Sequence, residues 1–443
     1  MSSLVFILGR EPELSVAEIA AVLPDATWAG AELSAEALVV PLASTPPLPT
    51  RGPGQVAPPL EGGEKQWGWE RTLIRRLGGT IKIGEVWREV PHDGFDGQDD
   101  AIGKFILEHT SDVRKTHFGY SVYDLGGGVK RTMMIRQSLT RGAAAQKVWL
   151  QEHGRKVRGV TSREATLSSV IVAKNDLLPE RNGVEVLVLV GATHVILAQT
   201  LVVQPFEEWG KRDFGRPKRD ARSGMLPPKL ARMMLNIGAA SRQPQAASFS
   251  LLDPFCGSGT ILTEAMVLGV SRIIGTDMSA VAIRDATANA AWMGNQLPST
   301  HEVTISECDV RRLSQCVRER VDAIVTEPYL GPPHPSPRSI PLLIEELESL
   351  YVSAFREFVK VLKPGGRVVF VVPVFSARGG PAVGGQDIRT VAIDRDVERL
   401  GFRRVAPFPS PLAQHPILRD VGDLSYARPD QRVGRTILLF ERA

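Results

Sequence analysis

Three acidic residues close three short apolar runs in the second half of the chain. Asp253 ends the run beginning at Ser250, Asp277 ends the run beginning at Arg272, and Asp309 follows the run at 302–307. Alone, each reads as a helix cap, because an Asp before a helix accepts from free backbone N–H groups and is worth about 1 kcal/mol. At three successive strand ends they point instead to one polar ligand lying along the edge of a sheet. A carboxylate at Asp277 can accept from both hydroxyls of a ribose. After Asp253 comes Pro254-Phe255-Cys256-Gly257-Ser258-Gly259-Thr260, where the glycines allow a tight turn and a close approach of backbone to ligand. The spacing matches neither the G-x-G-x-x-G dinucleotide fingerprint nor the G-x-x-x-x-G-K-S/T phosphate loop. A fourth strand end carries V-T-E-P-Y-L-G-P-P at 325–333. There Glu327 brings a carboxylate, Pro328 a backbone carbonyl and Tyr329 an aromatic ring to one strand end, two acceptors beside a flat apolar face.

The elements that must position these residues alternate strictly from residue 240 onward. Strands are expected at 250–254, 272–277, 302–307, 322–325 and 367–372, with helices at about 260–269, 279–293, 310–318 and 340–363. A helix near 387–400 and strands near 402–406 and 435–440 complete the pattern. Such alternation predicts α/β architecture with a parallel, doubly wound sheet. The first 204 residues mix strands and helices less regularly. Ser15, with Glu18 three residues on, is the expected start of a first helix. Strands are expected at 38–40, 81–86, 118–123, 184–190 and 194–201, and helices near 64–77, 98–110 and 139–153. Residues 45–63 are rich in Pro and Gly and read as an exposed insert. The loop 373–386 is a candidate lid.

The chain has 443 residues, 43% of them hydrophobic, and a net charge of +4. No apolar run approaches the ~18 residues of a membrane span, and the opening residues lack the features of a signal peptide. The three cysteines form no C-x-x-C. Their odd, sparse number predicts a reducing, cytoplasmic setting without disulfides, and no metal is expected. The charge is unevenly spread. Between 111 and 175 there are twelve Lys and Arg against Asp112, Asp124, Glu152 and Glu164, and a second basic cluster runs from Lys211 to Arg232. Both could be solvated faces; clustered cations of this kind also suit a phosphate backbone.

The order Asp-Pro-Phe-x-Gly-x-Gly-Thr after an apolar strand resembles the first motif of class I S-adenosylmethionine-dependent methyltransferases, especially those that modify RNA or DNA amino groups. At 211–233 the stretch K-R-D-F-G-R-P-K-R-D-A-R-S-G-M-L-P-P-K-L-A-R-M resembles the linker and leading helix of the THUMP-containing tRNA guanine-10 N2-methyltransferases. The opening F-I-L-G-R-E-P-E-L-S-V-A-E-I and the closing S-Y-A-R-P-D-Q-R-V-G-R-T-I-L-L-F resemble that group's ends. The departure is at E-P-Y-L, where the family has D-P-P-Y. If Gly331 keeps the family register, Leu330 stands where the aromatic belongs.

The resemblance implies a class I (Rossmann-like) methyltransferase domain at 241–443 behind a ferredoxin-like domain (1–110), a THUMP-like RNA-binding domain (111–204) and a linker with its leading helix (205–240). It implies S-adenosyl-L-methionine as cofactor, held by Asp253, Phe255, Gly257, Gly259, Thr260, Asp277, Asp309 and Glu327, with Asp309 toward the adenine amino group. Glu327, Pro328 and Tyr329 would be catalytic. The partner would be tRNA, met by Lys130, Arg131, Arg155, Lys156, Arg158, Arg216, Lys218 and Arg219, and no membrane is involved. Some members need a small activating subunit. An amino group in rRNA or DNA, or tRNA binding without transfer, are the other readings left open.

Overall fold

The computed structural model describes residues 3–23, 26, 28–42, 68–92, 95, 100–219, 225–240, 249–297, 301–376, 388–418, 421–427 and 431–443. The Pro/Gly-rich insert at 45–63 and residues 377–386 of the candidate lid lie outside them.

The strands divide into two sheets. The first holds β1 (Ser3–Leu8), β2 (Glu32–Leu33), β3 (Ala37–Pro41), β4 (Thr80–Pro91), β5 (Thr116–Leu125), β6 (Val157–Val160), β7 (Gly183–Gly191) and β8 (His194–Val203). Their order is β2-β3-β1-β4-β8-β7-β5-β6. The expected boundary near residue 110 falls within this sheet, because β4 pairs with β8 along Lys82–Pro91. The second sheet holds β9 (Ser250–Asp253), β10 (Arg272–Asp277), β11 (Glu302–Glu307), β12 (Val321–Thr326), β13 (Leu362–Ser376), β14 (Ile388–Thr390), β15 (Phe402–Arg404), β16 (Leu424–Tyr426) and β17 (Val433–Arg442). Its path is β11-β10-β9-β12-β13-β17-β15. The first five strands of that path are parallel, and β17 returns antiparallel to β13. This is the Rossmann-like α/β arrangement. The strand order reverses direction between β9 and β12, and in open sheets of this kind ligands bind beyond the carboxyl ends of the strands at such a switch point.

Helix Ile340–Val361 shows how the sequence builds this core. Leu343, Leu347, Tyr351, Ala354, Phe358 and Val361 recur at helical spacing and are buried together. With them, Phe355 sits 5.1–5.2 Å from the rings of Phe370, Phe402 and Phe440 on three different strands. Among the described residues no helix is long and apolar enough to cross a membrane.

The two sheets share one apolar core through helices Pro12–Val22 and Pro228–Gly238. The first helix begins at Pro12, so Ser15 is an interior residue and not the expected cap. Proline at a first turn loses no hydrogen bond and sets the start earlier than the Ser-Glu pair suggested. Ser15 and Glu18 serve tertiary contacts instead. Ser15 Oγ donates to Gly79 O, and the buried Glu18 carboxylate accepts from the N–H groups of Gly78 and Gly79 and from Asn236 Nδ2. A Cβ at Gly78 would stand 2.5 Å from Lys229 O, which leaves no room for another residue there. Nearby, Arg232 and Arg212 both donate to the buried Glu264 carboxylate, and Arg232 Nη1 donates to Arg75 O. Charges this deep are tolerated because each is hydrogen-bonded.

The cysteine expectation is corrected. Cys308 and Cys316 form a disulfide with Cα atoms 6.4 Å apart. The turn after β11 carries the short helix Leu313–Cys316 back toward the strand end, which spacing alone did not reveal. Cys256 is free and buried.

Candidate active site

The site is built on the ends of β9, β10, β11 and β12. After β9 the chain turns through Gly257 (φ +50°) and Gly259 (φ +82°), conformations that L side chains rarely adopt. A Cβ at Gly259 would stand 3.2 Å from Ala286, whereas one at Gly257 would meet nothing within 4 Å. Gly259 therefore serves packing of the loop on helix Ala280–Gly294, while Gly257 edges open space. Asn289 of that helix donates to Ser258 O (2.8 Å) and Lys218 O (3.0 Å) and accepts from Lys218 N, tying the loop to the linker.

Asp253 is 1% exposed. It accepts from Thr326 Oγ1 at 2.7 Å and from Phe255 N at 3.2 Å. Burial, with added repulsion from Asp277 and Glu327, pushes its carboxyl up to about 7. Asp277 accepts from Gly257 N (3.0 Å) and Ser279 N (2.9 Å), so its two oxygens brace the glycine loop and the next helix. Each oxygen keeps a second lone pair for a ligand hydroxyl. Asp309 accepts from Arg311 N and Nε, and those contacts hold its carboxyl below the usual range. It is a working cap after β11, and its carboxylate is part-exposed. Phe255 is half-buried against the core beside helix Ile340–Val361.

Glu327 follows β12. Its two oxygens accept from Arg435 Nε and, at 3.1 Å, from Arg435 Nη2. The side chains are 14% and 5% exposed, so this is a largely buried, two-point ion pair. Pro328 is buried. Tyr329 is 57% exposed, and its carbonyl accepts from the buried Tyr351 hydroxyl at 2.7 Å. Leu330 packs into the core. The aromatic that faces outward is thus Tyr329, one residue earlier than a register fixed on Gly331 implies. Arg435 was not singled out from sequence. It is 108 residues from Glu327, and only the antiparallel return of β17 beside β13 brings it there.

The basic residues divide. Lys130, Lys156, Arg158, Lys218 and Arg219 are exposed, and the Arg219 guanidinium lies 5.2 Å from the exposed Phe214 ring. Arg216 is corrected: it is 6% exposed, and Nη1 donates to Thr260 Oγ1 at 2.6 Å, so it braces the start of helix Thr260–Val267 after the glycine turn. Thr260 is likewise buried. Arg155 and Arg131 are committed to the protein's own carbonyls. Arg155 Nη2 donates to Leu107 O and Thr110 O, and Arg131 Nη2 donates to His92 O.

Comparison with known proteins adds to this geometry. Residues 216–376 match the UPF0020 family, described as an RMKL-like methyltransferase domain. Over 150 residues the chain is 33% identical to a tRNA (guanine(10)-N2)-dimethyltransferase of Methanothermobacter thermautotrophicus, covering 34% of this chain and 39% of that one. Over 188 residues it is 27% identical to the protein of the same name from Methanocaldococcus jannaschii, covering 40% and 48%. The matches therefore span less than half the length of these relatives. Among solved structures, TrmN from Thermus thermophilus aligns over all of both chains at 17% identity and a TM-score of 0.47.

Proposed function

We propose that this chain is an S-adenosylmethionine-dependent tRNA methyltransferase acting on the exocyclic N2 of a guanine, the one at position 10 as in the named relatives. The observation that carries the reading is the set Asp253, Asp277 and Glu327 around the Gly257–Gly259 turn at the sheet's switch point. The match of residues 216–376 to a methyltransferase family and the names of the relatives support it.

The residues fit the cofactor. Gly257 borders open space, and Asp253 is a buried carboxyl that among the described residues has no ion pair and would gain from an ammonium group. Asp277 would take the ribose hydroxyls, and Asp309 the adenine amino group, beside Phe255. When bound, S-adenosylmethionine supplies a methyl group on a sulfonium: the amine gains an N–C bond, the C–S bond breaks with its electron pair to sulfur, and an N–H proton leaves. The chain's own part is positioning. Glu327 and the Pro328 carbonyl accept from the amine, and Tyr329 presents a stacking face to a base flipped from its stem at a cost of a few kcal/mol. Tyr351 fixes the Tyr329 carbonyl and with it the turn.

The exposed Lys130, Lys156 and Arg158 on the N-terminal, THUMP-like part would grip the phosphate backbone. Lys218 and Arg219 would continue that contact along the linker, with Phe214 offering a ring beside them. A tRNA substrate fits a cytoplasmic protein.

The test is transfer of labelled methyl from S-adenosylmethionine to unmodified tRNA, followed by digestion to nucleosides and mapping of the site. N2-methylguanosine at position 10 is expected. Product only in rRNA or DNA would move the reading to another amino-methyltransferase. Binding of both ligands without transfer by the chain alone, but with transfer after addition of a small protein fraction, would identify an activating subunit. Reversing Lys156 and Arg158 to Glu should weaken tRNA binding at low salt and leave cofactor affinity unchanged.

A further inference from the structure

Asn289 joins two parts of the chain that the proposed reaction uses separately. It lies on helix Ala280–Gly294 and is 0% exposed. One amide makes three hydrogen bonds. Nδ2 donates to Ser258 O in the glycine turn and to Lys218 O in the linker, and Oδ1 accepts from Lys218 N. Both backbone groups of Lys218 are therefore held by the side chain that also holds the turn. The side chain of Lys218 is exposed, as is that of Arg219 beside it. Two residues earlier, Arg216 Nη1 donates to Thr260 Oγ1, so the linker meets the chain on both sides of Gly259. The helix that carries Asn289 is fastened to the same turn at its start, where Asp277 accepts from Gly257 N and Ser279 N.

The nature of the turn makes these ties consequential. Gly257 and Gly259 both stand at positive φ, and glycine loses more conformational freedom on being fixed than any other residue. A turn of this kind holds a ligand more tightly when its shape is already set. A polyanion seated on Lys218 and Arg219 would fix the linker. The Lys218 backbone would then fix the Asn289 amide, and through it Ser258 O. Thermodynamic linkage makes the effect mutual, so a bound cofactor would favour the polyanion by the same factor.

We infer that Asn289 is a positioning residue that couples the two ligands: phosphate contact at Lys218 and Arg219 sets the cofactor turn, and tRNA and cofactor each raise the other's affinity. The inference rests on the proposed tRNA methyl transfer and adds that the cofactor end of the site responds to the RNA. It also gives the two basic regions different work. Lys156 and Arg158 would add affinity for tRNA only, whereas the linker pair would pass part of that binding on to the turn.

The experiment is calorimetric titration of S-adenosylhomocysteine, which has no methyl to give, into the full chain alone and with saturating unmodified tRNA. In the wild type, tRNA should tighten binding roughly fivefold or more. Asn289→Ala should bind S-adenosylhomocysteine with an affinity that no longer responds to tRNA. Lys218→Ala/Arg219→Ala should lose the tightening even when tRNA is raised to saturation. Lys156→Ala/Arg158→Ala should need more tRNA and keep the tightening. A general loss of stability would not divide the two surface pairs in this way, and their contrast stands even if Asn289→Ala fails to fold. No tightening in a wild type that binds and methylates tRNA would overturn the inference and leave the proposed function intact. Full tightening in a folded Asn289→Ala protein, or equal loss in both surface pairs, would overturn it as well. A wild type that neither binds nor methylates tRNA would overturn the proposed function, and the inference with it.

Discussion

Asp253 and Glu327 end neighbouring strands, and β9 and β12 are paired side by side. Asp253 is buried and Glu327 largely so, yet the protein treats them in opposite ways. Asp253 receives a hydroxyl and one backbone N–H, and among the described residues it has no ion pair. Its carboxyl is pushed up to about 7. Glu327 receives a guanidinium at two points. An acid left without a cation is a place for a ligand that brings one, such as an ammonium group. An acid already neutralised favours a neutral ligand with N–H donors. The two ends of the crevice are therefore suited to different partners, a cationic cofactor end and a neutral amine.

The largest effect should come from breaking the neutralised side. Glu327→Ala breaks a largely buried ion pair and takes away the Arg435 counter-charge, which typically costs about 3–5 kcal/mol. It also removes the acceptor proposed for the amine, so methyl transfer should fall by at least ~100-fold. Denaturant melts beside transfer assays separate the two losses. The double variant Glu327→Gln/Arg435→Gln should recover much of the stability and little of the activity. Full stability in Glu327→Ala would mean that Arg435 finds other partners and that the contrast with Asp253 is smaller than the geometry suggests.

On the other side, the folded state binds a proton at Asp253 that the unfolded chain has already released above its ordinary carboxyl range. Stability should therefore fall as pH rises from about 4 toward 7, and level off above. Cationic cofactor affinity should run the opposite way, rising with pH up to about 7, because the ligand favours the ionised acid. Asp253→Asn should flatten both slopes and weaken cofactor binding most at high pH. Calorimetric titration between pH 5.5 and 8.5 reads this directly. A pH-independent affinity in the wild type would show that Asp253 meets no positive charge.

Much of this site was legible in the sequence because it is local. Asp253 through Thr260, Asp277 and Glu327–Tyr329 each sit at the end of an apolar run, and strand–helix alternation orders those ends along one edge. What could not be read depends on chain returns. Arg435 reaches Glu327 only through the antiparallel pairing of β17 with β13, and Cys308 meets Cys316 only because the turn after β11 brings a short helix back to it. The basic clusters misled in another way. Charge counts cannot distinguish Arg158, which faces solvent, from Arg155, whose guanidinium donates to Leu107 and Thr110 carbonyls, or from Arg216, buried on Thr260. The continuous N-terminal sheet was hidden for the same reason: the pairing of β4 with β8 joins segments more than a hundred residues apart.

Asp309 sharpens the comparison from its mild end. It is a third carboxylate at a strand end, but it is part-exposed and held by Arg311 N and Nε rather than buried. Its carboxyl is held below the ordinary range, chiefly by the Arg311 N–H. That contribution is present above the usual Asp pKa and is lost as pH falls through the folded value, opposite in sign to Asp253. Asp309→Ala should cost only about 1 kcal/mol, the worth of a helix cap. Asp309→Asn keeps an acceptor for Arg311 N and should cost less still. If Asp309 also meets the adenine amino group, Asp309→Ala should weaken cofactor binding severalfold at neutral pH without the pH slope that marks Asp253. If it only caps the turn, melts will shift while cofactor affinity stays put, and the ligand edge of the sheet would then end at Asp277.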